Sequence, residues 1–293
     1  MNYLVNLMKL LPKNLISLLV GQIAQIRWPS PIKVWLNKAF VAAFRINMHE
    51  AEFPIARYNS IEGIFTRKLQ PGVRPIDGGV VVPSDGYISF SGPTRNDRAL
   101  QAKGHYYSTE ELVFGVQGPE SRKFDAAWAT TVYLAPHNYH RVHSPVGGIL
   151  REVIYHPGEL WPVNPPFVQY VPNIFARNER LTFVIEWEPN IYVYAVMVGA
   201  LNVGRISTRF NSSFTTNSAK RLLGLGPSKV AIKKDQILLP GDELGTFMLG
   251  STVVLVFDRD FVKKNSLIEI NAKKGVRMGQ SLLAPEIEGN RVH

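Results

Sequence analysis

Asp85, His143 and Ser251 form one of the Asp…His…Ser triples in this sequence that have the types needed for acyl-transfer chemistry. A serine hydroxyl attacks a carbonyl only when a base removes its proton, and an imidazole serves as base when a third group fixes its tautomer. The chain order Asp…His…Ser is that of the subtilisin arrangement, although a chain of 293 residues holds many such triples. Ser251 follows Gly250, which lacks a Cβ and so tolerates a strained turn that exposes its carbonyl. The surrounding stretch GTFMLGSTVVLVF, 245–257, reads as a turn over 249–252 feeding a buried strand over 253–257. On pattern alone, Gly-Ser at that place is only a turn.

A second cluster is His137-x-x-His140-x-x-His143. Three imidazoles can bind zinc, but successive steps of three along a helix fan the third ligand away from the first. Ala135-Pro136 before the cluster and Ser144-Pro145 after it point to a loop, and no metal is expected. His137, His49, His105, His156 and His293 read as surface residues. Cysteine is absent, which removes disulfides, thiol catalysis and cysteine-ligated metals.

The stretch around Ser251 resembles the self-cleavage site of the pyruvoyl-dependent phosphatidylserine decarboxylases of bacteria. The likeness extends through FTRKLQPGVRP (65–75), PSDGYIS (83–89), APHNYHRVHSPVGG (135–148), WPVNP (161–165), FARNERL (175–181) and VGALNVGRI (198–206), in family order. It covers most of the chain from about residue 57 onward. The resemblance implies that Asp85, His143 and Ser251 are the self-processing triad, and that His140 contacts substrate and transfers a proton.

The implied sequence of events begins with Ser251 Oγ adding to the Gly250 carbonyl, an N→O acyl shift to an ester. Elimination across Cα–Cβ of residue 251 releases the upstream segment and leaves dehydroalanine, and hydrolysis with loss of ammonia gives a pyruvoyl group. The products are a β chain, 1–250, and an α chain, 251–293, expected to stay together as a heterodimer. The family commonly pairs into dimers, so the resemblance admits a dimer of such heterodimers, while the sequence itself does not give the oligomeric state. The pyruvoyl ketone, the only cofactor implied, takes the serine amine of the lipid as a Schiff base and accepts electrons as CO₂ leaves. Two roles are open for Asn164 and Asn178-Glu179-Arg180, lining the site or bracing loops, of which bracing is the expectation, and Thr252 is expected to support the turn.

These residues need elements to hold them. Residues 1–50 carry six basic side chains against the single acid Glu50. Leu15, Leu18, Leu19 and Ile23 recur near a helical period, and Ile32, Trp35, Leu36, Phe40 and Phe44 do so after Trp28-Pro29-Ser30-Pro31. Two basic amphipathic helices lying in a membrane interface are expected, with Trp28 and Trp35 at the headgroup level. The competing expectation is a helical layer packed on the protein's own core. The longest uncharged run near the N-terminus, 14–26, is short of the about 20 residues a spanning helix needs.

Ser60 then opens a short helix that ends before Pro71. From residue 73 onward short strands dominate, at 80–82, 87–90, 130–134, 148–154, 181–186, 192–198 and 253–257. PSDGYISFSG (83–92) and HSPVGGILREV (143–153) resemble each other, and KKGVRMGQSLL (273–283) reads as a tight hairpin. The fold class expected is α+β: a mainly β sandwich or barrel-like core, of the barrel-sandwich-hybrid type, under an N-terminal helical layer. The expected division is 1–50 for membrane association and 51–293 for catalysis.

A net charge of +10 favours a polyanionic partner. The basic residues form no block and no interleaved aromatic motif, so an anionic membrane containing phosphatidylserine is expected rather than nucleic acid. No secretory signal is legible, and a peripheral place on the cytoplasmic face of the bacterial cell membrane is expected. Two other readings compete: a pyruvoyl decarboxylase of a soluble amino acid, and a non-catalytic membrane-binding β module in which LGST is merely a turn.

Overall fold

The computed structural model describes residues 2–102, 104–115, 124–201, 205–218, 230, 236–248, 251–270 and 273–285. Three helices lead the chain: α1 (Asn2–Leu10), α2 (Lys13–Ala24) and α3 (Ile32–Phe44). The last two are the expected pair, and α1 is an additional helix whose Val5 is buried against the β core. A short α4 (Ile61–Phe65) follows, with the Ser60 hydroxyl accepting the Gly63 N–H at 3.1 Å. That bond satisfies one of the donors left free at a helix start.

β1 (Gly86–Pro93), β2 (Arg98–Ala102), β3 (His105–Ser108), α5 (Thr109–Phe114), β4 (Trp128–Leu134), β5 (Arg141–His143) and β6 (Gly148–His156) come next. They are followed by α6 (Pro165–Val168), α7 (Ile174–Arg177), β7 (Arg180–Glu188), β8 (Ile191–Val198), β9 (Ile206–Thr208) and β10 (Asn211–Thr215). The chain continues through β11 (Gln236–Leu238), β12 (Glu243–Phe247), β13 (Ser251–Phe257), α8 (Arg259–Lys264) and β14 (Lys274–Val276).

An eight-stranded antiparallel sheet runs β11-β6-β7-β8-β13-β4-β1-β14, and a four-stranded sheet runs β10-β9-β12-β5. The α+β, mainly β architecture matches expectation, and among the described residues both sheets are open rather than closed into a barrel. The two resembling segments supply β1 and β6 of the same sheet. Residues 80–82 pair only through isolated bridges, Val80 with Val146 and Val81 with Ser281.

β13 lies between β8 and β4 in the large sheet. Val253, Leu255 and Phe257 face the core shared with the small sheet, alongside Val142, Leu244 and Phe247. Val254 and Val256 face a second core closed by α5, α7 and the 161–171 segment, with Tyr107, Trp161 and Phe175. A strand covered on both faces needs no polar alternation, which is why VVLVF is an unbroken apolar run.

The helical layer is turned the other way. α2 buries Lys13, Ser17, Gly21 and Ala24, one polar and small-residue face. Its Leu15, Leu19 and Ile23 are exposed, the last at 61%. The attachment is polar: Lys13 Nζ lies 3.4 Å from Glu159 and over the Trp161 ring, and Asn14 donates to the Gly158 carbonyl at 3.0 Å. Gln25 donates to Glu62 at 2.8 Å. α3 fully buries only Asn37, which donates to the Tyr58 carbonyl, while Trp35 is 69% exposed. No described helix is long and apolar enough to cross a membrane.

Candidate active site

The site lies where the chain passes twice between the two sheets. One passage runs from the end of β4 at Leu134 through 135–140 into β5 of the small sheet. The other runs from β12 of the small sheet to β13 of the large one, across residues 248–250. The two are joined at both ends: the Phe247 N–H donates to the His140 carbonyl at 3.1 Å, and Ser251 pairs with Leu134. The expected strand at 253–257 therefore starts two residues earlier, at Ser251. Leu249 and Gly250, and the side chain of Ser251, lie outside the described residues.

Asp85 and Ser251 issue from one end of the large sheet. Tyr87 of β1 and Thr252 of β13 both pair with Tyr133 of β4. Neighbouring strands are about 4.8 Å apart, so the two backbones are separated there by about 10 Å. Gly86 is required at this approach, since a Cβ on it would stand 2.5 Å from the Tyr133 carbonyl oxygen. The turn carrying Asp85 is tied to the histidine segment by His143 N–H to Pro83 O, 2.8 Å, and Ser84 Oγ to Tyr139 O, 2.8 Å.

Asp85 and His143 are not hydrogen-bonded to each other. Asp85 Oδ1 accepts Arg74 Nε and the Met278 N–H, both at 2.9 Å, and Oδ2 accepts Arg74 Nη2 at 2.6 Å. His143 Nδ1 donates to the Gly241 carbonyl at 2.7 Å, which leaves Nε2 the acceptor of the Tyr139 hydroxyl at 3.1 Å. The tautomer is thus fixed by a backbone carbonyl. Burial pushes the His143 pKa down, opposed by the Gly241 bond and by the charges of Glu243 and Asp85. His143 sits on strand β5, not in the loop expected for the whole cluster.

His140 is fully buried with its ring 3.9 Å from that of Phe65. Nδ1 donates to the Asn138 carbonyl at 2.9 Å, and Nε2 has no hydrogen-bond partner. Burial, then the nearby Arg67 charge, lowers its pKa to about 3, so the ring is neutral with a lone pair on a buried nitrogen. His143 pairs with Glu243, whereas His140 meets Phe247, so along β12 His140 is the histidine nearer the junction.

Two expectations about the other histidines change. His137 is half-buried and lines a cavity of about 370 Å³ with Arg67, Arg74, Asp85 and Tyr139. His156 is buried, its Nε2 donating to the Val113 carbonyl at 3.0 Å. His293 lies outside the described residues. Among the described residues no three His, Asp or Glu side chains converge as a metal site. Arg74 and Tyr139 lie inside FTRKLQPGVRP and APHNYHRVHSPVGG, and it is their contacts with Asp85 and His143, not their residue types, that single them out.

The family model for phosphatidylserine decarboxylase matches residues 61–284. The chain belongs to the phosphatidylserine decarboxylase family. It is 38% identical to proteins named phosphatidylserine decarboxylase proenzyme from Shewanella sp. strain W3-18-1 and Shewanella putrefaciens strain CN-32, over 93% of this chain and 94% of each relative. A further relative of that name, from Shewanella sp. strain ANA-3, is 37% identical over the same share of this chain. Within this family member, FARNERL is bracing: Asn178 bonds the Trp161 backbone on both sides and the Gly199 carbonyl, and Arg180 donates to the Leu112 and Glu111 carbonyls.

Proposed function

We propose that this chain decarboxylates phosphatidylserine to phosphatidylethanolamine after cutting its own backbone between Gly250 and Ser251. The observation that carries the reading is the match of residues 61–284 to the family, joined to relatives whose printed name is proenzyme.

In the cut, His143 takes the Ser251 proton at Nε2. The Gly241 carbonyl holds its other nitrogen protonated, burial keeps the ring neutral beforehand, and the Asp85 charge stabilises the imidazolium that forms. The Tyr139 hydroxyl has to leave Nε2 for the serine to approach. Serine Oγ adds to the Gly250 carbonyl, the peptide C–N bond breaks, and the amine left on residue 251 takes the proton from His143. Elimination across Cα–Cβ of residue 251 then breaks the Cβ–O bond of the ester and frees the Gly250 carboxylate.

The pieces 1–250 and 251–293 hold together because β13 is paired along both edges and β14 pairs with β1. They form a heterodimer, and two such heterodimers pair. A pyruvoyl group derived from residue 251 supplies the electron sink that decarboxylation requires. The chain's residues fit it: His140, whose backbone carbonyl meets Phe247 beside the junction, has a buried, unpartnered Nε2 that can take up a proton and return it to the substrate Cα once CO₂ has left. Residues 51–293 form the catalytic part. Residues 1–50 lay the exposed Leu15, Leu19 and Ile23 of α2, Trp28 of the connection and Trp35 of α3 into the cytoplasmic face of an anionic bacterial membrane.

A second division of labour is favoured by the position of His140 beside Phe247: His140 acts in the cut as well. Purified His140→Ala decides it. Cleavage without release of CO₂ from phosphatidylserine dispersions supports the first division, and loss of both steps supports the second. Release of CO₂ from free serine as readily as from the lipid contradicts the lipid substrate.

A further inference from the structure

The Asp85 carboxylate is held by more than its own turn. Arg74 presents Nε and Nη2 to its two oxygens at 2.9 and 2.6 Å, a two-pronged ion pair. The same Nη2 donates to Glu50 at 2.6 Å, and Nη1 donates to the Val73 carbonyl at 2.8 Å. The Arg74 side chain is 6% exposed, so the pair is shielded from solvent. On the far side the Met278 N–H, from the proposed α chain, donates to Asp85 Oδ1, and Arg277 Nη1 lies 3.6 Å from Glu50. Arg74 and the Met278 N–H thus converge on one carboxylate, and Glu50 holds Arg74 from its other side.

Removing His143 from Asp85's hydrogen-bond shell leaves the carboxylate to act by its charge and position. A charge acting through space is effective only when its distance is fixed, because the interaction falls as the separation grows. A lone carboxylate on a turn rotates freely; one gripped at both oxygens does not. The cavity of about 370 Å³ is lined by both Arg74 and Asp85, so a small cation has room to reach this carboxylate.

We propose that Arg74 is a positioning residue for self-cleavage, fixing the Asp85 carboxylate beside the Tyr139–His143 pair, with Glu50 steadying Arg74 in turn. The inference rests on the reading of Asp85 as part of the self-processing set. Lysine cannot reproduce the grip, since a single ammonium does not offer two parallel donors.

The test uses full-length Arg74→Ala, purified and checked for folding by its melting curve, with conversion to two chains followed by intact mass. Cleavage is expected to slow by about 10²-fold, the scale of a misplaced catalytic group. Guanidinium chloride in millimolar amounts, but not sodium chloride, restores it. Arg74→Lys is slowed and not rescued, while Glu50→Gln is slowed less than Arg74→Ala. Folded Arg74→Ala that cleaves at the wild-type rate overturns the inference, as does slowed cleavage that guanidinium leaves unchanged, which marks a structural role. Asp85→Asn is the control: if it cleaves normally, the reading of Asp85 itself fails, and guanidinium rescue has no target.

Discussion

The helical layer and the β13 strand are built from the same residues and use them in opposite ways. Leu15, Leu19 and Ile23 of α2 point away from the protein while Lys13, Ser17, Gly21 and Ala24 are packed against it. In β13, Val253 to Phe257 are all inside, on two faces of one sheet. Periodicity reports that a helix has an apolar face, but not whether that face meets the protein or something else. The contacts decide it: α2 is fastened through Lys13, Asn14 and Gln25, and Gly21 lets the Arg205 side chain lie close. An exposed row of large apolar side chains is the usual mark of an interaction surface. α2 carries such a row, whereas α3 is mixed, with Phe40 and Val41 packed against Tyr58 and Ile64 and Trp35 exposed.

If the strand region carries the chemistry and the helical region only the docking, changes in the two must separate cleanly. The largest effect belongs to Ser251→Ala, which is expected to remain one uncut chain with no decarboxylase activity; fragments or turnover in that variant break the comparison. Replacing Leu15, Leu19 and Ile23 together by serine is expected to weaken sedimentation with anionic vesicles by about 10²-fold or more, from the apolar area no longer buried in lipid. Cleavage in that variant proceeds as in wild type, and unchanged vesicle binding returns α2 to a purely internal role.

Stability sharpens the contrast. Leu255→Ala in β13 is expected to cost about 2–5 kcal/mol in denaturant unfolding, while Leu19→Ala stays within about 0.5 kcal/mol. Equal losses would mean that α2 is part of the core.

Acid is expected to act on the β core rather than the helices. Buried His140 and His156 have pKa values lowered from 6.5 to about 3, so below 6.5 the unfolded chain binds protons that the folded chain refuses. The melting temperature is therefore expected to fall steadily from pH 6.5 toward pH 3, and a flat profile contradicts the neutral burial of these rings. The smallest effect is that of Tyr139→Phe. Removing the hydroxyl that caps His143 Nε2 is expected to speed self-cleavage by about fivefold, the scale of one net hydrogen bond.

Much of this was legible in the sequence. The strands around β4, β7, β8 and β13 follow from β-branched runs bounded by turn residues, and the Ser60 cap announces α4. The short strands β5, β9 and β12 are three to five residues long, and their pairing comes from distant partners rather than local preference. That is why RVH at 141–143 read as loop. The candidate residues were reached through motif resemblance, and their connections were not. Nothing in the letters assigns His143 Nδ1 to the Gly241 carbonyl, 98 residues away, or both Asp85 oxygens to Arg74, which is 11 residues away but reaches it only through the fold of the intervening turn.

The most direct test is the intact mass of the purified wild-type protein under denaturing conditions. Two chains that part between residues 250 and 251, the shorter blocked at its first residue by a keto group, are what the account predicts. A single uncut chain that nonetheless releases CO₂ from phosphatidylserine contradicts it.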